Sequence, residues 1–182
     1  FKMGDLSRNP HPFGQIPCMT DAEDVLLFES GAILQYLNNN YSPSTLSKKD
    51  LAAITSWITW ANASLDSICF LETPDGKVYD TGLKKANKRI DRLNEILSKQ
   101  EWLVEGAGFT IADVAVASYL LYVLQFFPDV KLGDRYPSIV EFMVKAATRE
   151  NYAKAFGMDT QKTLLGRLSN QGAPDKKLFG VF

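Results

Sequence analysis

The chain has 182 residues, 46% of them apolar and 23% charged, with a net charge of −1. This is an ordinary globular composition, long enough for one large domain or a helical domain with a smaller companion. The evenly mixed charge argues against a nucleic-acid groove or an anionic membrane surface as the main partner. The longest apolar run, 114–127, is interrupted by Ser118 and Gln125 and falls short of the roughly 18 residues of a membrane span.

In chain order, 1–3 reads as the tail of a strand and 4–13 as a loop broken by Asn9-Pro10 and His11-Pro12. Two short strands are predicted at 15–19 and 25–29, joined by the hairpin-length connection 20–24. Ser30 is read as the N-cap of a helix over 31–37, ended by Asn38-Asn39-Asn40. A linker around Pro43 follows. Ser47 and Asp50 form a capping-box pair ahead of a long helix with the apolar stripe Leu51, Ile54, Trp57, Ile58, Ala61, Leu65 and Ile68. A turn at 73–76 leads to a helix over 83–100. Thr110 and Asp113 form a second capping box, a structural feature with no catalytic role, ahead of an apolar and therefore buried helix to about 127. Pro137 opens a helix to about 148, a short helix covers 151–156, and 158–182 reads as a polar tail with scattered apolar anchors. No internal repeat or low-complexity block is present.

Few residue clusters carry chemistry. The two cysteines, Cys18 and Cys69, do not make a disulfide framework, which favours a reducing compartment. His11 is the single histidine and has no metal-ligand spacing around it, so no metal is expected. Two places could grip a small charged peptide. Pro17 interrupts an apolar strand: it is either an ordinary trans proline on an edge, or a cis one that turns the backbone of Ile16 outward to pair with an extended peptide. Glu29-Ser30 lies at a strand-to-helix junction: it is either a plain cap with a solvated glutamate, or a pair in which Ser30 and the helix amides hold a carboxylate while Glu29 holds an ammonium.

Three segments, P-F-G-Q-I-P at 12–17, F-E-S-G-A-I-L-Q-Y-L at 28–37 and T-I-A-D-V-A-V-A at 110–117, occur in an order and spacing that resembles the glutathione S-transferase superfamily. The resemblance spans about 9–157. It implies an α+β architecture: a truncated thioredoxin-like domain at 1–41, a linker at 42–47, an all-helical domain at 48–157 and a tail at 158–182. It implies a cis peptide at Pro17 and a glutathione site at Gln15, Ile16, Pro17, Glu29 and Ser30. In that site the backbone of Ile16 pairs with the cysteinyl part, and Glu29 and Ser30 hold the γ-glutamyl end. An electrophilic co-substrate would rest near Trp57, Trp60 and Tyr119.

The family's first strand and helix, with the Tyr, Ser or Cys that activates the thiol, would precede Phe1. No catalytic residue is therefore assigned, and the chain as given is expected to lack transferase activity. The strand edge at 15–19 is expected to be covered by that segment, by a second copy or by a partner protein. The implied function is conjugation of glutathione to electrophilic small molecules once the N-terminal segment is present. The competing reading is a non-catalytic scaffold of the same fold within a larger assembly, and a third is a protein that holds ligands in the same pocket without turnover. Glutathione enters as substrate, no metal is called for, and the expected location is cytoplasmic or a reducing organelle compartment such as the plastid stroma.

Overall fold

The computed structural model describes residues 9–21, 24–42 and 46–171. The strand tail expected at 1–3, part of the hairpin connection, part of the linker and the apolar anchors at 178–182 lie outside the described residues.

The N-terminal part is a two-stranded antiparallel sheet and one helix. Strand β1 (Cys18–Asp21) pairs with β2 (Val25–Phe28) in the register Cys18↔Phe28 to Asp21↔Val25. The ladder starts three residues later than expected, because Pro17 has no N–H to contribute and stands ahead of it. Helix α1 (Ser30–Tyr41) runs through the three asparagines expected to end it. Their side chains find local partners: the Ser42 hydroxyl donates to Asn38 Oδ1 (3.1 Å) and Asn40 Nδ2 donates to the Tyr36 carbonyl (2.8 Å). The hydroxyls of Tyr36 and Tyr41 both donate to the Asp21 carboxylate, tying the end of α1 to β1. Those bonds raise the pKa of both phenols.

The rest is helical. Helix α2 (Lys48–Trp60) begins with the expected capping box: Asp50 N–H donates to Ser47 Oγ (3.2 Å) and Ser47 N–H to Asp50 Oδ2 (3.0 Å), which holds the Asp50 carboxyl low. The helix passes through one π-helical turn (Ala61–Leu65) into α3 (Asp66–Cys69). Short strands β3 (Leu71–Glu72) and β4 (Val78–Asp80) flank the 73–76 turn. The single helix expected over 83–100 is instead a 3₁₀ turn (Gly82–Lys84) and α4 (Lys88–Leu97), because Thr81 and Asn87 each cap a separate start. Helix α5 (Ile111–Phe126) crosses the middle of the core, and α6 (Pro137–Thr148) and α7 (Glu150–Phe156) follow. Residues expected to begin a polar tail form α8 (Met158–Ser169), anchored by buried Leu164 and Leu168 and by Arg167 donating to the Leu124 carbonyl at 2.6 Å.

The start of α5 is built around a buried carboxylate. Asp113 is fully buried and accepts from Thr110 N–H (2.7 Å), Thr110 Oγ1 (3.0 Å) and Leu103 N–H (2.8 Å). It therefore caps α5 and pins the preceding turn together. Burial raises its pKa against the opposing pull of those bonds.

Every buried apolar residue of the core lies between Ile54 and Leu168, among the described residues. Helix α1 buries Gly31 and Asn38 and rests on the helical part through partly buried Leu34. Among the described residues, the sheet and α1 are thus a small attachment on the helical core.

Candidate functional site

A cavity of about 490 Å³ lies where that attachment meets the helical core. Ile16 and Pro17 form one wall, and Ser30, Ile33 and Leu34 of α1 form the floor. The opposite wall is one face of α5, with Val114, Ser118 and Tyr122 at successive i,i+4 positions and Tyr119 beside them. Asn62, from the π-helical turn, closes the inner end.

The Ile16–Pro17 peptide bond is cis, and Ile16 is 71% exposed, ahead of the start of the strand ladder. The loop before it is ordered by His11, whose Nδ1 accepts from Phe13 N–H (3.0 Å) and whose ring packs on Phe28 at 5.0 Å between centroids. Asn9 Nδ2 donates to the Gln15 carbonyl at 2.7 Å. Gln15 is exposed beside the cavity wall, so the side chain of this residue stands outside the lining.

Ser30 departs from expectation. It is the first helical residue, not the cap; the cap position is Glu29, at φ 68° and ψ 118°, with no side-chain capping bond. An L-residue other than glycine rarely adopts that conformation, which carries a strain of about 1–3 kcal/mol. The Glu29 side chain is exposed and stands outside the cavity lining, whereas the Ser30 hydroxyl faces Asn62. Ser30 Oγ accepts from Asn62 Nδ2 (3.1 Å), and Asn62 Oδ1 accepts from the Tyr119 hydroxyl (3.4 Å). Burial, with the Asp66 charge adding to it, pushes the Tyr119 hydroxyl up to about 12, while the nearby Ser30 hydroxyl pulls the other way. Tyr119 therefore remains a protonated donor at neutral pH.

Tyr119 does line this cavity, but Trp57 and Trp60 do not. They form the wall of a separate cavity of about 430 Å³ between α2 and α4, beneath Lys88, Arg89 and Arg92. Helical geometry explains this: at 100° per residue, positions 57 and 60 lie well around the rod from position 62. Conversely, Asn62 was missed, although a polar residue inside the apolar stripe, between Ala61 and Leu65, was a usable signal. Val114, Ser118 and Tyr122 were hidden in a helix that reads as apolar all round.

Cys18 is half-buried and Cys69 fully buried; both are free thiols, and burial pushes the Cys69 thiol well up. Among the described residues, no group of three or more His, Cys, Asp or Glu side chains is placed to hold a metal ion, and no helix is long and apolar enough to cross a membrane.

Residues 48–150, more than half of the chain, match the family model for the glutathione S-transferase C-terminal domain. The chain is 29% identical over 162 residues to the glutathione S-transferase-like protein LUC7 of a Fusarium species, covering 82% of this chain and 74% of that protein. It is 30% identical over 129 residues to glutathione S-transferase GstB of Escherichia coli, covering 63% of this chain and 61% of that protein. Its fold is that of the glutathione transferase URE2P8 of Phanerochaete chrysosporium, solved with oxidized glutathione, at a TM-score of 0.65 and 22% identity over 86% of this chain and 76% of that one. With a partial thioredoxin-like sheet and α1 attached to a helical bundle that answers to the family model, this chain belongs to the glutathione S-transferase superfamily.

Proposed function

We propose that the chain binds glutathione in the cavity between the sheet and the helical core and that, in a protein that also carries the family's thiol-activating segment, the thiol faces an electrophilic small molecule lying on the α5 face. The observation that supports this best is the juxtaposition of Ile16-Pro17 with Ser30 in one lined cavity. In this reading the backbone of Ile16 pairs with the cysteinyl portion, flanked by Gln15 and Pro17. The start of α1 attracts the γ-glutamyl carboxylate through its free N–H groups and helix dipole, with the Ser30 hydroxyl donating to it. Glu29, exposed and next to Ser30 in the chain, pairs with the γ-glutamyl ammonium. The opposing wall of Val114, Ser118 and Tyr122 is mostly apolar and suits an apolar co-substrate. No residue is assigned to activating the thiol.

The test is calorimetric titration with reduced glutathione. Glu29→Ala combined with Ser30→Ala is expected to weaken binding at least about tenfold, as loss of two charge-assisted contacts requires. Unchanged affinity would remove the site from these residues.

A further inference from the structure

We propose that Asn62 is a positioning residue: its side-chain amide holds the Ser30 hydroxyl as a donor to a carboxylate in the cavity, with Tyr119 fixing the amide from behind. This rests on the glutathione reading and extends it to two further residues that line the same cavity.

The backbone is arranged for this contact. Asn62 stands in the only π-helical turn among the described residues, at the point where the long 48–69 rod passes α1. A π-turn inserts an extra residue into a helix and re-aims the side chains around it. Across from it, α1 carries Gly31. A Cβ there would lie 2.9 Å from Asn62 Nδ2 and 3.3 Å from Ile58 Cγ2, so glycine admits the amide to its place beside Ser30.

The orientation of the Asn62 amide sets the direction of the hydrogen bonds. Tyr119 donates to Asn62 Oδ1, which leaves the Asn62 Nδ2 hydrogens facing away from the phenol. Asn62 Nδ2 donates to Ser30 Oγ and occupies an acceptor lone pair there. The single hydrogen of Ser30 is then left for another acceptor. A carboxylate at the α1 start offers a stronger acceptor and takes that hydrogen, since charge-assisted bonds are about twice as strong as neutral ones. The chain of donors Tyr119, Asn62, Ser30 all points toward the ligand, and such aligned bonds reinforce one another.

The experiment compares two ligands on the full chain: reduced glutathione, and 4-aminobutyryl-cysteinyl-glycine, which keeps the ammonium and lacks the α-carboxylate. Asn62→Leu is expected to weaken glutathione about fivefold and to change the analogue by less than about twofold, because one neutral hydrogen bond is at stake. Asn62→Asp is expected to do more harm to glutathione than Leu does, since it offers acceptors only and a like charge. Gly31→Ala, which displaces the amide without removing it, should repeat the Asn62→Leu pattern more weakly and stands in if that variant does not fold.

Equal losses for both ligands would mean a general change of cavity shape and overturn the proposal. So would unchanged glutathione affinity in Asn62→Leu while Ser30→Ala still weakens it. If Ser30→Ala has no effect, or the wild-type chain binds no glutathione, the site reading itself fails and this inference with it.

Discussion

Replacing Asp113 by alanine tests the account of how the helical core is organised. The side chain is fully buried and satisfies three donors at 2.7, 2.8 and 3.0 Å. Its removal orphans two backbone N–H groups, those of Thr110 and Leu103; the Thr110 hydroxyl can rotate to another partner. A buried unsatisfied donor costs about 1–3 kcal/mol, so two cost about 2–6 kcal/mol. Burying the carboxylate is itself unfavourable, as its raised pKa indicates, and deleting it offsets part of that loss. The expected net destabilisation is about 3 kcal/mol, in the lower half of this range because of that offset. With a urea slope of about 2 kcal/mol/M, the unfolding midpoint should fall by about 1.5 M. Tryptophan fluorescence suits the assay, because Trp102 adjoins the affected turn and packs on Phe109 at 4.9 Å. Asp113→Asn, which keeps one acceptor oxygen, should lose about half as much. A shift for alanine smaller than about 0.5 M would show that the orphaned groups find other partners and that the box is dispensable.

Glu29→Gly should relieve the left-handed backbone at φ 68° and raise the melting temperature by about 2–4 °C while weakening glutathione binding; a lowered melting temperature would show that the side chain, not the backbone, governs this position. Gly82→Ala places a Cβ 2.9 Å from the Ile68 carbonyl oxygen and should destabilise by about 1–3 kcal/mol in urea titration, whereas Gly166→Ala, with open space around it inside α8, should stabilise by about 0.5–1 kcal/mol. On α4, hydrogen bonds from Lys99 and then Arg92 hold the Glu95 carboxyl down to about 2, from an ordinary 4.5. A folded-state pKa below the unfolded one stabilises above 4.5 and loses that contribution as pH falls toward about 2. Melting curves of Glu95→Gln across this window should therefore fall less steeply than those of the wild type, and parallel curves would discount the network.

What could be read from the residues divides by range. The two capping boxes, Ser47 with Asp50 and Thr110 with Asp113, were legible because each is complete within four residues and needs no distant partner. Pro137 at the first turn of α6 and the end of α7 before Gly157 were legible for the same reason. Ser30 misled because a tertiary partner, Asn62, competes for its hydroxyl and moves the cap to Glu29. Strands β3 and β4 were invisible: two and three residues carry no usable alternation. Helix α8 was obscured by Gly166 and a mostly polar surface, its two buried leucines four residues apart being the single periodic cue. The cis bond at Ile16-Pro17 could not be told from trans by local residues; the family resemblance was what pointed to it.

Since β1, β2 and α1 add almost nothing to the buried core, lifting them away should require far less free energy than melting the bundle beneath. Such a partial detachment dissolves the pocket while most of the protein stays intact, so occupancy and detachment exclude each other. A bound tripeptide at a hundred times its dissociation constant would oppose detachment by about 2.7 kcal/mol. Amide exchange in α1 would then slow on ligand addition while that of α5 and α6 stayed unchanged, and the ligand would act as the missing mortar of a loosely set stone.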